Sequence, residues 1–271
     1  MNQHIAFIGG GNMASAIISG LIKQGCSPSQ IDVVEPSAEA RAKLQSSYAI
    51  TAQSQPGAFL AQAGLVVWAV KPQTFKQAAI PVAPFTQTAL HLSVAAGIRS
   101  DNIAQWLGTE RVVRAMPNTP ALIGKGISGL FARAGVTSAD KEWVGQVMAS
   151  TGEFLWFDTE EKLDAVTALS GSGPAYVFYF MEAMTTAGIE MGLTREQAQR
   201  LSVATFVGAG ELARSSSESP KVLRQRVTSK GGTTYAAISS MEDSDLQAEF
   251  INAIYAARQR SRELGAEFGG A

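Results

Sequence analysis

The stretch His4-Ile5-Ala6-Phe7-Ile8-Gly9-Gly10-Gly11-Asn12-Met13-Ala14 decides the fold. A short apolar run breaks into three glycines and resumes as helix formers through Ile22, which reads as strand, tight turn and helix. The small residues fall as Gly9-x-Gly11-x-x-Ala14, a dinucleotide-binding fingerprint with alanine in the last place. Gly9 permits the turn, Gly11 has no Cβ to obstruct a pyrophosphate, and Ala14 lets the helix lie close to the strand. Backbone N–H groups at the helix start then face the phosphates, so Gly9, Gly10, Gly11, Asn12 and Met13 are the expected contacts.

The 18 residues from 5 to 22 carry no charge, a length that invites comparison with a signal peptide or a membrane span. No Lys or Arg precedes them, and Gly-Gly-Gly-Asn interrupts their middle. Neither reading fits, and a cytoplasmic location is expected.

The 271 residues suit two modest domains or one large one. Charged side chains make up only 17%, with 22 basic against 23 acidic, so neither a nucleic-acid surface nor an anionic membrane partner is expected. The single cysteine, Cys26, rules out an internal disulfide and a cysteine metal cluster; it reads as a buried thiol, and no metal is expected.

Up to about residue 158, β-rich runs alternate with helical ones. Strands are expected at residues 4–8, 31–35, 65–69, 89–94 and 112–116, with helices near 13–24, 38–46, 57–62, 73–82 and 100–107. Later strands at 129–133 and 154–158 flank a helix at 138–150. This alternation predicts a parallel sheet covered on both faces, an α/β Rossmann-type dinucleotide-binding domain over residues 1–158. From 159 to 271 strand signals vanish, and an all-α domain is expected. Thr194-Arg195-Glu196-Gln197 is a capping-box pattern, Ser219-Pro220 suits a helix start, and residues 245–268 read as one terminal helix. Uncharged faces at 176–184 and 201–212 suit either a subunit interface or packing within the chain.

The strand at 31–35 ends in Glu35, at the spacing of the acidic residue that binds an adenosine ribose 2′-hydroxyl. A carboxylate there favours NADH over NADPH, although Arg41 is within reach of a 2′-phosphate, and a solvated turn carboxylate is the plain alternative. Ala69-Val70-Lys71-Pro72 places a cation at a strand end, where ligands of open α/β sheets bind. The small residues of Ala95-Ala96-Gly97 allow a nicotinamide ribose to approach closely. Asn118, in the rigid turn Met116-Pro117-Asn118-Thr119-Pro120, is placed either to orient a carboxamide or to serve the turn itself.

Two segments of the helical half stand out. Leu169-Ser170-Gly171-Ser172-Gly173-Pro174-Ala175-Tyr176 interrupts helical sequence, and Ser229-Lys230-Gly231-Gly232-Thr233-Thr234-Tyr235 directly precedes a helix at 236–241. Glycines followed by hydroxyl residues at a helix start form either an anion cradle or a helix-capping loop. Two such cradles suggest a small carboxylate substrate.

Taken together, Gly9-Gly10-Gly11-Asn12-Met13, Ala69-Val70-Lys71-Pro72, Met116-Pro117-Asn118-Thr119-Pro120, Ser170-Gly171-Ser172-Gly173-Pro174-Ala175-Tyr176 and Gly231-Gly232-Thr233-Thr234 closely resemble the pyrroline-5-carboxylate reductase family across the whole chain. The last two blocks are the most specific. The resemblance implies NADPH or NADH as cofactor, held by the N-terminal half. It also implies a helical dimerisation domain forming a homodimer, with a homodecamer as its larger assembly. The reaction it implies is reduction of 1-pyrroline-5-carboxylate to L-proline, with Ser229, Gly231, Gly232, Thr233 and Ser172 binding substrate and Thr234 hydrogen-bonding the ring nitrogen.

Three departures from the family pattern matter. Lys230 replaces a common proline. Ser217, beside Glu218, occupies the place of a substrate-side glutamate found in some relatives. Glu35 stands where relatives preferring NADPH more often carry a neutral or basic residue. His4 and His91, the only histidines, fall on the N-terminal sheet and read as structural. The runner-up activities are a β-hydroxyacid dehydrogenase-like oxidoreductase, which wants a helical-domain lysine that residues 170–176 lack, and a catalytically inactive nucleotide sensor.

Overall fold

The structure, a computed structural model, describes residues 4–269. Seven strands form one sheet: β1 (His4–Ile8), β2 (Ile31–Val34), β3 (Ala63–Trp68), β4 (Leu90–Ser93), β5 (Val112–Met116), β6 (Gly126–Ala132) and β7 (Gly152–Phe157), in the order β2-β1-β3-β4-β5-β6-β7. The strands β1 to β5 are parallel, as expected. The sheet is nevertheless mixed, because β6 runs antiparallel to β5 while β7 pairs parallel to β6. A tight 3-10 segment, Thr119–Ile123, leads directly from β5 to β6, too short for the crossover a parallel return requires.

Over β1 to β5 both faces of the sheet are buried. Ile5 and Phe7 of β1 face a core shared with Ile17, Ile18 and Leu21 of α1 (Asn12–Lys23), Leu44 of α2 (Ala38–Tyr48) and Val147 of α5 (Ser138–Ala149). Ala6 and Ile8 face the opposite core, with Phe75 and Val82 of α3 (Phe75–Val82) and Ile103 and Leu107 of α4 (Ser100–Leu107). Burial on two sides explains why the strands read as continuous apolar runs. Residues 58–62 form a 3-10 helix in place of the expected α-helix. Cys26 is buried, and burial pushes its thiol pKa up.

The chain divides into two compact units: one runs through Ser172 and takes up the chain again from Ala257, the other is Gly173–Ala256. The strands end at Phe157, next to residue 158, but α6 (Lys162–Val166) still packs on the sheet, with Leu163 and Val166 against Gly129 of β6. The last helix, α11 (Leu246–Gly269), returns to the first unit, where Leu264 and Phe268 abut Gly97.

The second unit is helical. Its α7 (Gly173–Glu190) and α8 (Arg195–Ser215) form an antiparallel pair, with Gly188 against Ala198 and the Thr185 hydroxyl 3.3 Å from that of Ser202. Thr194 and Gln197 make the expected capping box. The Ser219 hydroxyl caps α9 (Pro220–Arg226), and α10 (Thr233–Asp243) starts three residues before the expected 236. Tyr176 and Phe180 meet Phe250 edge to face, at 5.7 and 5.5 Å between ring centres. Phe178, Tyr179, Leu201, Val207 and Leu212 remain exposed, an apolar surface of the kind that marks an association site.

Candidate active site

A cleft of about 770 Å³ opens at the carboxyl ends of β1, β2 and β3. The chain leaves β1 for β2 on one side and comes back to β3 on the other, so the cleft lies at the topological switch point, where open α/β sheets take their ligands. It gathers Gly9, Gly11, Glu35, Ala69, Val70 and Lys71 from the sequence-derived set. It also includes Ser54, Gln55, Thr74 and Gln77, which sequence reading passed over. Residue 53 is drawn in by backbone pairing, since Gln53 N donates to Val33 O and Glu35 N to Gln53 O, both at 2.8 Å. Ala96, Gly97 and Asn118 do not line this cleft.

The glycine turn is built as a cradle. Gly9 holds φ at +96°, and a Cβ there would meet the Ala69 carbonyl oxygen at 2.6 Å. A Cβ on Gly10 would meet Leu44 at 2.8 Å, whereas one on Gly11 would meet nothing within 4 Å. The open space is therefore in front of Gly11, as a pyrophosphate requires. The N–H groups are distributed differently from the expectation. Gly9 N donates to Val34 O at 2.8 Å and Gly10 N to Glu35 Oε2 at 2.7 Å, so both are engaged within the fold. Asn12, Met13 and Ala14 precede the first helical bond, Ser15 N to Gly11 O at 2.9 Å, and their N–H groups have no helical acceptor. These residues fit a dinucleotide pyrophosphate.

Glu35 Oε1 also accepts from Ser37 N at 2.8 Å, which fixes the carboxylate at the end of β2. Arg41 Nη1 donates to the carbonyl oxygens of Glu35 and Pro36 at 2.8 and 2.6 Å, holding a cation beside that carboxylate. Lys71 is exposed at the end of β3, ahead of a 3-10 turn begun by Pro72.

Gly97 has φ +74°, but its face is filled by α11: a Cβ would meet Leu264 at 3.2 Å and Phe268 at 3.3 Å. Its smallness serves this packing, a reason different from ribose access. Asn118 is buried and its amide is engaged on both sides, accepting from Ile127 N at 3.0 Å and donating to Ser170 O at 3.1 Å. It joins β6 to the segment around Ser170. That segment is no open loop: Thr167–Gly171 forms a π turn, closed by Ser172 N to Thr167 O at 2.8 Å. Ser170 Oγ donates to Val166 O at 3.1 Å, so two polar groups of the expected first cradle are already partnered.

In the second unit, Gly231 takes φ +75° and Gly232 N closes the turn on Ser229 O at 3.0 Å. A Cβ on Gly232 would meet Ser229 Oγ at 2.8 Å, so glycine is needed for the hydroxyl to lie there. Helix bonding begins at Ala236 N to Gly232 O, 3.1 Å, leaving the N–H groups of Thr233, Thr234 and Tyr235 in the first turn. The expected Gly232 donor is thus used by the turn, and the available N–H groups come from the residues after it. Ser229, Thr233 and Thr234 are exposed. Glu218, beside Ser217, pairs with Arg226 at 2.5 Å.

A buried ionic network missed by sequence reading lies in the first unit. Arg114 of β5 bonds Glu160 at 2.5 Å, and Glu160 also accepts from Ser100 N at 2.7 Å and Ser100 Oγ at 2.6 Å. Burial pulls the Arg114 pKa below its ordinary value, while Glu160 acts to hold it charged. Asp164 accepts from Arg99 at 2.8 Å and from Ser261 of α11 at 2.9 Å. Among the described residues no group of three or more His, Cys, Asp or Glu side chains is placed to hold a metal ion. None of the described helices is long and apolar enough to cross a membrane.

The switch-point cleft, the glycine cradle and the Glu35 strand end define a dinucleotide-binding protein of the Rossmann type, joined here to a helical unit. Residues 4–97 match the family described as NADP oxidoreductase, coenzyme F420-dependent, and residues 160–264 match pyrroline-5-carboxylate reductase dimerisation. The chain is 48% identical over 267 residues to a pyrroline-5-carboxylate reductase of Pseudomonas aeruginosa, covering 98% of both chains. A solved pyrroline-5-carboxylate reductase of Coxiella burnetii aligns with a TM-score of 0.91 at 37% identity, over 97% of this chain and 99% of that one. A Plasmodium falciparum pyrroline carboxylate reductase, solved with NADP bound, aligns at 0.87 and 28% identity, over 97% and 98%. The chain belongs to the pyrroline-5-carboxylate reductase family. The match over 160–264 identifies the helical half as a self-associating unit, in keeping with its exposed apolar faces.

Proposed function

We propose that this chain reduces 1-pyrroline-5-carboxylate to L-proline with NADPH or NADH, the last step of proline biosynthesis. The observation that carries the reading is full-length likeness to a pyrroline-5-carboxylate reductase at 48% identity. Family membership also favours this reaction over β-hydroxyacid oxidation. The enzyme works in the cytoplasm as a homodimer able to assemble into a decamer. Residues 1–158 serve the cofactor, and 159–271 serve dimerisation and substrate binding.

When bound, the reduced nicotinamide supplies the hydride equivalent. The protein holds the pyrophosphate with the N–H groups of Asn12 and Met13 and the open face of Gly11, in a turn that Gly9 and Gly10 shape, and the adenosine ribose with Glu35. Ala69, Val70, Lys71 and Pro72 border the dinucleotide and Ala96 its nicotinamide end, while Gly97 and Asn118 act through the packing of α11 and the bonds to Ile127 and Ser170. A protonated cyclic imine is already electrophilic, so the main tasks are alignment and grip on the carboxylate. Ser229, Gly231 and Thr233, with Ser172, bind that carboxylate in the turn that Gly232 N closes, and the first-turn N–H groups of α10 favour its negative charge. The Thr234 hydroxyl hydrogen-bonds the ring nitrogen. A threonine is a poor acid at neutral pH, so its work is positioning and proton relay through water.

The substitution Thr234→Ala is expected to lower imine turnover about 100-fold, a loss in the range for one positioned proton-transfer group. NADPH binding, followed by fluorescence titration, should stay within twofold of the parent. Unchanged turnover would remove Thr234 from the mechanism. Failure of the parent enzyme to oxidise either NADH or NADPH with the five-membered imine would reject the assignment.

A further inference from the structure

Residues 219–230, leading to the Gly231 turn, hold four cationic side chains, Lys221, Arg224, Arg226 and Lys230, and no acidic one. Their environments differ. Arg226 is paired with Glu218 at 2.5 Å. Arg224 is 3.4 Å from Glu242, a looser contact between two solvent-exposed side chains. Lys230 has no acidic partner among the described residues and is exposed. A cleft of about 340 Å³ lies between α9 and α10, and Arg224, Thr228, Lys230, Tyr235, Ser239 and Glu242 line it. The Thr228 hydroxyl donates to Arg224 O at 2.7 Å, which fixes the backbone behind Arg224. One carboxylate thus faces two cations, and the uncompensated charge belongs to the residue directly before the turn.

We propose that Lys230, backed by Arg224, is a specificity determinant that captures the carboxylate of the incoming imine and passes it to the adjoining turn at residues 231–234. The inference rests on the reading of that turn as the substrate site. A cleft lined by one excess sign of charge raises the local concentration of oppositely charged ligand, and salt screens the effect. The lysine is not needed for hydride or proton movement, so its contribution lies in KM for carboxylate-bearing imines. Arg224 stays partly neutralised by Glu242 and acts as the weaker member of the pair.

The test compares the parent enzyme with Lys230→Gln and Lys230→Arg. Expected for Lys230→Gln is a three- to tenfold higher KM for 1-pyrroline-5-carboxylate with kcat unchanged, and a shallower fall of kcat/KM with added NaCl. The KM, or the inhibition constant, of 1-pyrroline, the same cyclic imine without the carboxylate, should not move, and Lys230→Arg should restore the parent KM. An equal loss for both imines would mean a structural effect on the turn, and unchanged KM with an unchanged salt slope would mean a solvated lysine; either overturns the proposal. These outcomes leave imine reduction itself intact. A parent enzyme that reduces no five-membered imine would reject the underlying reading and this inference with it.

Discussion

The Glu35 carboxylate accepts the backbone N–H of Gly10 at 2.7 Å, tying the end of β2 to the glycine turn after β1. The same group therefore shapes the glycine turn and sets the charge at the end of β2. A 2′-phosphate brought to this edge meets a fixed carboxylate, with Arg41 as the compensating cation. The variant Glu35→Ser should raise the NADPH/NADH ratio of kcat/KM about tenfold, equivalent to about 1.4 kcal/mol. Both KM values should rise as well, because Gly10 N loses its acceptor. Glu35→Gln keeps an acceptor and should shift the ratio with less loss of affinity. An unmoved ratio in both variants would show that the carboxylate does not reach the ribose.

The Asn118 side chain bridges Ile127 N and Ser170 O. Replacing it with Asp keeps the acceptor for Ile127 but sets an oxygen against the Ser170 carbonyl. The expected cost is about 1–3 kcal/mol, read from urea denaturation. Faster hydrogen exchange at the Ile127 amide in Asn118→Ala would locate the loss. Stability equal to the parent in both variants would show that neither bond holds β6 to the Ser170 segment.

Arg114 and Glu160 make a buried pair, with side-chain exposures of 6% and 12%. Removing one partner strands the other charge in a low-dielectric site. The variant Glu160→Ala should lose about 3–5 kcal/mol, since it also deprives Ser100 of its acceptor. The double variant Arg114→Met with Glu160→Leu should recover most of that loss. If the double variant is no more stable than the single one, desolvation is not the governing cost.

The strands β1 to β5 were legible because residues buried on both faces form short apolar runs, and Gly9 and Gly11 punctuate the first of them at fixed spacing. The antiparallel course of β6 was not, since hydrophobic patterning carries no direction. Glycines at 171 and 173 read as a break, and the structure confines that break to a bend at Ser172 between the π turn and α7. Gly97 reads as room for a ligand, but the neighbour filling that room sits on α11, far along the chain. Arg114 did leave a sign, a charge in an otherwise apolar strand. Its partner lies 46 residues away, and Asn118 reaches 52 residues to Ser170; no local pattern identifies such pairs. The positions of the 9–14 and 231–234 turns were readable, whereas the disposition of their N–H groups depended on Val34 O, Glu35 and Ser229 O.

His91 is buried in β4, where its Nδ1 accepts from Trp68 Nε1 at 3.1 Å and a bond to the Thr86 backbone engages the ring as well. Burial lowers its pKa from 6.5 to about 4, so the folded protein holds it neutral where the unfolded chain takes up a proton. A lowered folded-state pKa means stability that is complete above 6.5 and lost as pH falls towards about 4. The shift corresponds to about 3 kcal/mol at most, at 1.36 kcal/mol per pKa unit. In His91→Gln an amide offers an acceptor to Trp68 and a donor to Thr86 without titrating. The difference in unfolding free energy between parent and variant should therefore change across this window, with the parent losing more as the solution is acidified. Parallel pH profiles for the two proteins would show that His91 is not protonated on acid unfolding.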